Sequence, residues 1–232
     1  MNASRTARDR ARAELTREIT DEARRQLASA GADGLSLRAV ARELGMVSSA
    51  LYRYFPSRDD LLTALILDAY AALGAAAESA DQRDAGPTRR WVTVCTAVRD
   101  WARAHPHEYA LIYGSPIPGY RAPESTIAHA ARVPLAMVGV LRDAWSAGAL
   151  TPPAELPAPG PLLAEQIHRL AASTAPELPR SVLTCALIAW TQLFGMLSFE
   201  LFGQLVGSVD PSDEFCAHAY RRMAEFVGLP PD

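Results

Sequence analysis

The stretch GLSLRAVARELGMVSSALYRYFPSR, Gly34 to Arg58, decides how this chain is read. Ser36 precedes a run whose Val40, Ala41 and Leu44 share one helical face, and Gly45 stands where a left-handed residue would end that helix. A second short helix is expected over 48–54, and Pro56 bars its continuation. Ala50, Leu51 and Phe55 face inward on it, leaving Ser48, Ser49, Tyr52 and Arg53 outward. Helix, glycine turn and helix is the arrangement that sets a short helix into the major groove of DNA, where hydroxyls and guanidinium groups reach phosphates and base edges.

Working outward, residues 8–30 are expected to form a helix with Leu15, Ile19, Ala23 and Leu27 inward, ended by Gly31 and Asp33-Gly34. After Pro56, Ser57-Arg58-Asp59-Asp60 has the S-x-x-D form of a capping box and opens a fourth helix to about residue 79. Further helices are expected at 88–104, 106–113, 124–148, 161–174, 180–206 and 212–227. Two breaks rich in proline and glycine, 114–119 and 151–161, interrupt them. No strand alternation appears, so the fold is expected to be all-α. A three-helix helix-turn-helix domain over 1–62 precedes a larger helical domain over 63–232.

The charges are placed to suit this. All 23 basic residues are arginine and the net charge is −3, which argues against indiscriminate coating of nucleic acid. Residues 1–62 nonetheless hold eleven arginines against nine acidic residues. Arg5, Arg8, Arg10 and Arg12 are open to two readings, a solvated disordered tail or an arm into the minor groove.

The run Leu37-Arg38-Ala39-Val40-Ala41-x-x-Leu44-Gly45, with Ala50-Leu51-Tyr52-Arg53-Tyr54-Phe55-Pro56-Ser57-Arg58-x-x-Leu61 after it, strongly resembles the N-terminal domain of TetR-family transcriptional regulators. The resemblance spans about residues 12–65. It implies that Arg38 reaches a base or phosphate, that Ser48, Ser49 and Arg53 face the groove, and that Tyr52, Tyr54 and Arg58 contact the DNA backbone. Val47 departs from the pattern, standing where the family commonly has a capping serine or threonine; Ser48 is expected to take over the cap. The resemblance further implies double-stranded DNA with a palindromic operator, a small-molecule effector, a homodimer, a cytoplasmic location and no cofactor.

In the larger domain, Leu183, Leu187, Trp190, Phe194, Leu197, Leu201 and Leu205 recur at near-heptad spacing on a helix apolar nearly all round. Such a helix needs cover on both sides. The resemblance places 161–174 and 180–206 in a dimeric four-helix bundle, with Leu183, Leu187, Phe194, Leu197 and Leu201 at the interface; a core helix of a monomer is the competing reading. Trp101, Tyr109, Tyr113, Tyr120, Met137, Trp145, Trp190 and Phe194 are the candidates to line an apolar pocket, although aromatics at helical spacing often serve only as core.

Other chemistries find little support. The chain has no G-x-S-x-G, HExxH, P-loop or glycine-rich dinucleotide turn, so no enzyme is expected. His105, His107 and Glu108 could be read as metal ligands, but adjacent residues point apart on a helix, so packing is favoured and no metal is expected. Cys95, Cys185 and Cys216 are distant from one another and set in apolar surroundings, as buried reduced thiols. The polar N-terminus does not read as a signal peptide, and the uncharged Ser181–Phe199 stretch carries four polar residues, so no membrane insertion is expected.

Overall fold

The computed structural model describes residues 2–153 and 158–231, with side chains from residue 7 onward. The described residues form helices without a strand: α1 (Asn2–Ala30), α2 (Leu37–Glu43), α3 (Ser48–Leu51), α4 (Arg58–Ala80), α5 (Pro87–Ala104) and α6 (Pro106–Tyr113). These are followed by α7 (Ser125–Ala130), α8 (Arg132–Ser146), α9 (Pro161–Thr174), α10 (Arg180–Leu201) and α11 (Asp213–Phe226). The all-α expectation holds.

Three departures from the sequence reading have local causes. α1 starts at Asn2 rather than Arg8, because its N-terminal half has no glycine or proline and is rich in alanine and arginine. Arg8, Arg10 and Arg12 are therefore displayed from a helix and not from a free tail; the side chain of Arg5 lies outside the described residues. The expected helix over 124–148 is two helices, α7 and α8, parted at Ala131. Pro134 explains the break: it lacks the N–H that a continuous helix would need there, whereas in the first turn of α8 that loss costs little.

The third departure is the end of α10, at Leu201 instead of 206. Gly203 takes φ +78°, Gln204 donates to the Phe199 carbonyl at 2.8 Å and Gly203 to the Glu200 carbonyl at 3.2 Å. That pair of bonds is the Schellman termination. The proline-rich loop expected over 151–161 is non-helical on both flanks, and its residues 154–157 lie outside the described residues.

Contacts divide the chain into two units, Met1–Tyr70 with His105–Ile127, and Ala71–Ala104 with Ala128–Asp232. This differs from the expected boundary at 62, because α6 belongs with the first unit. There Leu111 joins Ile19, Leu27, Val40, Leu51, Leu61 and Leu65 in one buried cluster, with Ile117 and Tyr120 packed against it. Arg24 of α1 pairs with Asp68 of α4 at 2.7 Å and Glu108 of α6 at 3.3 Å. Glu108 is thus engaged by an arginine of α1.

In the second unit α5 packs against α8, α10 and α11 through Trp91, Val94, Cys95 and Val98. All three cysteines are buried. Two arginines of α5 are buried as well. Arg90 chelates Asp81 at 2.6 and 2.9 Å and reaches Asp143 at 2.7 Å. Arg99 grips Glu200 of α10 at 2.8 and 2.6 Å, and reaches Ser212 and Asp213 at the start of α11. Two helices, α4 and α10, are long and apolar enough to cross a membrane, but each buries part of its surface within this chain, as a core helix does.

The Arg99 guanidinium, with help from Ser212, holds the Glu200 carboxyl below its ordinary value of 4.5. A lowered folded-state value means stability that is present above the unfolded carboxyl's pKa and is lost as pH falls through the folded one. Arg99→Met should cost about 3 kcal/mol at neutral pH, since it strands a buried carboxylate. In thermal unfolding the gap between wild type and variant should narrow as pH drops from 7 to 3; a gap constant across that range would mean Glu200 contributes no charge.

Candidate nucleic-acid interface

The short helices of the first unit are set by their ends. Ser36, in extended conformation, caps α2 by accepting from the Ala39 N–H at 3.5 Å. Gly45 at φ +64° ends it: Met46 donates to the Ala41 carbonyl at 2.8 Å and Gly45 to Arg42 at 3.1 Å, another Schellman turn. The chain then enters α3, which continues beyond Leu51 as turns closed by Tyr54 and Phe55 onto the Leu51 carbonyl. Leu51 and Phe55 are buried and fix the rotation of α3 on the bundle.

That rotation leaves Ser49, Tyr52 and Arg53 exposed and Ser48 half-buried, with Arg38 exposed on α2. The four outward residues expected of α3 are thus on one surface. Tyr54 is half-buried, and the Arg12 guanidinium sits 5.1 Å from its ring centre. Arg12 was legible only as one of several arginines; its place over Tyr54 depends on α1 passing α3, which no local pattern records.

One expectation needs correction. Ser48 does not cap α3: it is the first helical residue, and Val47 occupies the cap with no side-chain hydrogen bond. The cause is steric: Leu51 and Phe55 fix the helix register, and Val47 fills the extended position before it. Arg58, expected at the DNA backbone, also has a part within the bundle. Its Nε donates to the Leu35 carbonyl at 3.2 Å and its Nη2 to the Ala32 carbonyl at 2.7 Å, tying the start of α4 to the turn between α1 and α2. Half of the expected capping box forms: the Asp60 N–H donates to Ser57 Oγ at 3.1 Å, while the Asp60 carboxylate accepts from that hydroxyl at 2.6 Å.

The pocket candidates are split between the units. Tyr109 and Tyr113 stack with ring centres 5.3 Å apart, Tyr70 meets Tyr113 edge-on at 6.1 Å, and Tyr120 shares a 2.9 Å hydrogen bond with Thr63, all in the first unit. Burial pushes the Tyr113 hydroxyl up. In the second unit α8, α9 and α10 form an apolar cavity of about 200 Å³, open to solvent on one side, whose lining includes Pro134, Met137, Leu170, Leu183, Leu187 and Trp190. Met137 and Trp190 therefore line it as expected. Phe194 backs Trp190 with ring centres 6.2 Å apart, while Trp101 and Trp145 are not in the lining.

The seam on α10 faces its own unit. Leu183, Phe194 and Leu197 are buried, Leu201 is half-buried, and among the five expected interface residues only Leu187 is exposed. The opposite face carries Ile188, Phe199 and Phe202 in solvent at 44, 57 and 47% exposure, with Leu162 and Leu163 exposed on α9. A helix apolar on both sides shows its seam in sequence without showing which side the core takes.

Comparison with known proteins places these features in context. Residues 19–65 match the family described as bacterial regulatory proteins, tetR family, and residues 91–223 match the Tetracyclin repressor-like C-terminal domain. The chain is 43% identical over 202 residues to an HTH-type transcriptional regulator of Mycobacterium tuberculosis, covering 84% of this chain and 83% of the relative; a Mycobacterium bovis regulator matches to the same extent. The crystal structure of the regulatory protein SCO4313 superposes with a TM-score of 0.74 at 34% identity, covering 94% of this chain and 98% of that one. A tetR-family regulatory protein from Rhodococcus RHA1, at 17% identity and a TM-score of 0.58 over 93% of this chain and 97% of that one, shares the fold.

Arg58→Ala should cost about 2 kcal/mol, the scale of charged hydrogen bonds to buried carbonyls. Val47→Thr should stabilise by about 1 kcal/mol by supplying the missing cap. Denaturant unfolding of the full chain measures both, and an Arg58 variant of unchanged stability would mean that its two bonds to the α1–α2 turn contribute nothing to the fold.

Proposed function

The chain belongs to the TetR family of DNA-binding transcriptional regulators, and from that premise we propose that it is a cytoplasmic repressor. It binds a palindromic operator as a homodimer and releases it on taking up a small apolar effector. The observation that carries this reading is the solvent-facing stripe Ile188, Phe199 and Phe202 on α10 beside Leu162 and Leu163 on α9. Apolar surface of that extent on two adjacent helices calls for a partner, and a second copy supplies the same face under a two-fold axis.

A two-fold pair of recognition helices requires half-sites about 34–36 Å apart on one side of the duplex, and hence a palindrome. Arg38, Ser48, Ser49 and Arg53 are the groove-facing residues of each half, with Tyr52, Tyr54 and Arg58 at the DNA backbone. The cavity among α8, α9 and α10 supports an uncharged, largely apolar effector, since Thr174 and the Trp190 indole are the polar-bearing residues of its lining. An effector that binds better to a non-operator spacing shifts the population away from DNA, with α4 as the lever because it begins in the first unit and ends in the second.

Selection of bound sequences from a random DNA pool by the full chain, followed by footprinting, tests the operator. Enrichment of an asymmetric site would defeat the dimer reading. Arg38→Ala should broaden the selected sequences more than Tyr52→Phe does; equal losses on every sequence would leave Arg38 a phosphate contact. Ile188→Glu combined with Phe199→Glu should sediment as a monomer, and an intact dimer would place the interface elsewhere.

A further inference from the structure

We propose that Val47 reads a thymine, its side chain packing on the C5 methyl group of that base in the operator half-site. This rests on the DNA-binding function of the family. Val47 is the N-cap of α3, at φ −70° and ψ 137°, and its side chain is 69% exposed. Nothing in the fold accounts for valine there. An N-cap favours serine, threonine, aspartate or asparagine, whose side chain accepts a hydrogen bond from the first turn, and valine gives that up. Burial does not compensate, because Leu51 of the same helix is fully buried while Val47 stands in solvent.

The surroundings supply the ligand. The neighbouring exposed side chains on this surface, Arg38, Ser49, Tyr52 and Arg53, all carry hydrogen-bonding groups, so Val47 is an apolar point within a polar, DNA-facing set. Residues at the start of a recognition helix are those brought to the base edges. On the major-groove edge the one feature an aliphatic side chain can recognise is the thymine methyl, because the other exposed groups are donors and acceptors. Cytosine, with a hydrogen at C5, and adenine and guanine, with no methyl group on that edge, offer valine no such contact.

The test is a cycle between protein and base. The full chain and its Val47→Ala variant are titrated against the selected operator, and against operators in which each thymine of one half-site is replaced in turn by uracil. Uracil keeps every hydrogen bond and removes only the methyl. At one thymine the wild type should lose about fourfold in affinity, the factor that burial of one methyl group corresponds to. Val47→Ala should bind the thymine operator more weakly by a similar factor and show no further loss with uracil at that position. Identical uracil profiles for the two proteins at every thymine would overturn the assignment while leaving the DNA-reading intact. Failure to enrich any sequence from the pool would overturn both. Because Val47 is exposed, the variant is expected to fold, and an unchanged unfolding midpoint separates lost recognition from lost structure.

Discussion

A four-residue helix has no stability of its own, and everything α3 can do depends on what holds it. The burial of Leu51 and Phe55 is that constraint. These two side chains enter the cluster formed by α1, α2 and α4, so the outward residues are positioned by a core they do not belong to. The Gly45 turn sets the approach, Pro56 stops the helix, and the Ser57–Asp60 cap starts the next one two residues later. Arg58 then fastens α4 to the turn after α1. Each device acts on the backbone of a bundle whose apolar contacts supply the energy, and together they leave α3 little freedom except to face outward.

The second unit meets a different requirement. Its helices pack through large apolar faces, and yet Arg90 in the first turn of α5 and Arg99 further along it are buried. A buried ion pair contributes little net stability against an apolar replacement, but breaking it is costly, so its effect is to select one packing over others. Arg99 illustrates this, since its carboxylate and hydroxyl partners come from α10 and from the turn into α11. A shifted register of either helix would strand the charge. The pair thereby fixes where α10 lies, and with it which face of α10 reaches solvent.

Much of this was legible in the sequence for reasons that are local. Ser36, Gly45, Pro56 and Ser57 act within a few residues, and the helical periodicity around them marks the inward side directly. The outward placement of Ser49, Tyr52 and Arg53 followed from the same local rules. What escaped was long-range or symmetric. Leu111 enters the first unit's core from α6, and Glu200 meets Arg99 from 101 positions away, which no window of sequence records. α10 is apolar on both sides, so its pattern defines an axis and not a direction; the seam read as an interface is the core side. Two local signals have nonlocal-looking effects: Pro134 in a first turn restarts a helix that the alanine-rich flanks would continue, and Gly203 ends α10 inside an apolar run.

The geometry of α10 joins two properties usually considered apart. Leu187 lines the apolar cavity and Ile188, the next residue, stands on the solvent-facing stripe. Consecutive residues on a helix point about 100° apart, and the backbone between them is rigid on the scale of a side-chain displacement. A molecule filling the cavity contacts Leu187, Met137 and Trp190 together, and so bears on α8 and α10 at once. The relief available to α10 is rotation or translation as a body, and either motion carries Ile188 and Phe199 with it. Any partner seated on that stripe would therefore sense occupancy of the cavity without touching the ligand. Coupling of this kind needs no chain of polar contacts, only a helix that is apolar on both sides and buried on one.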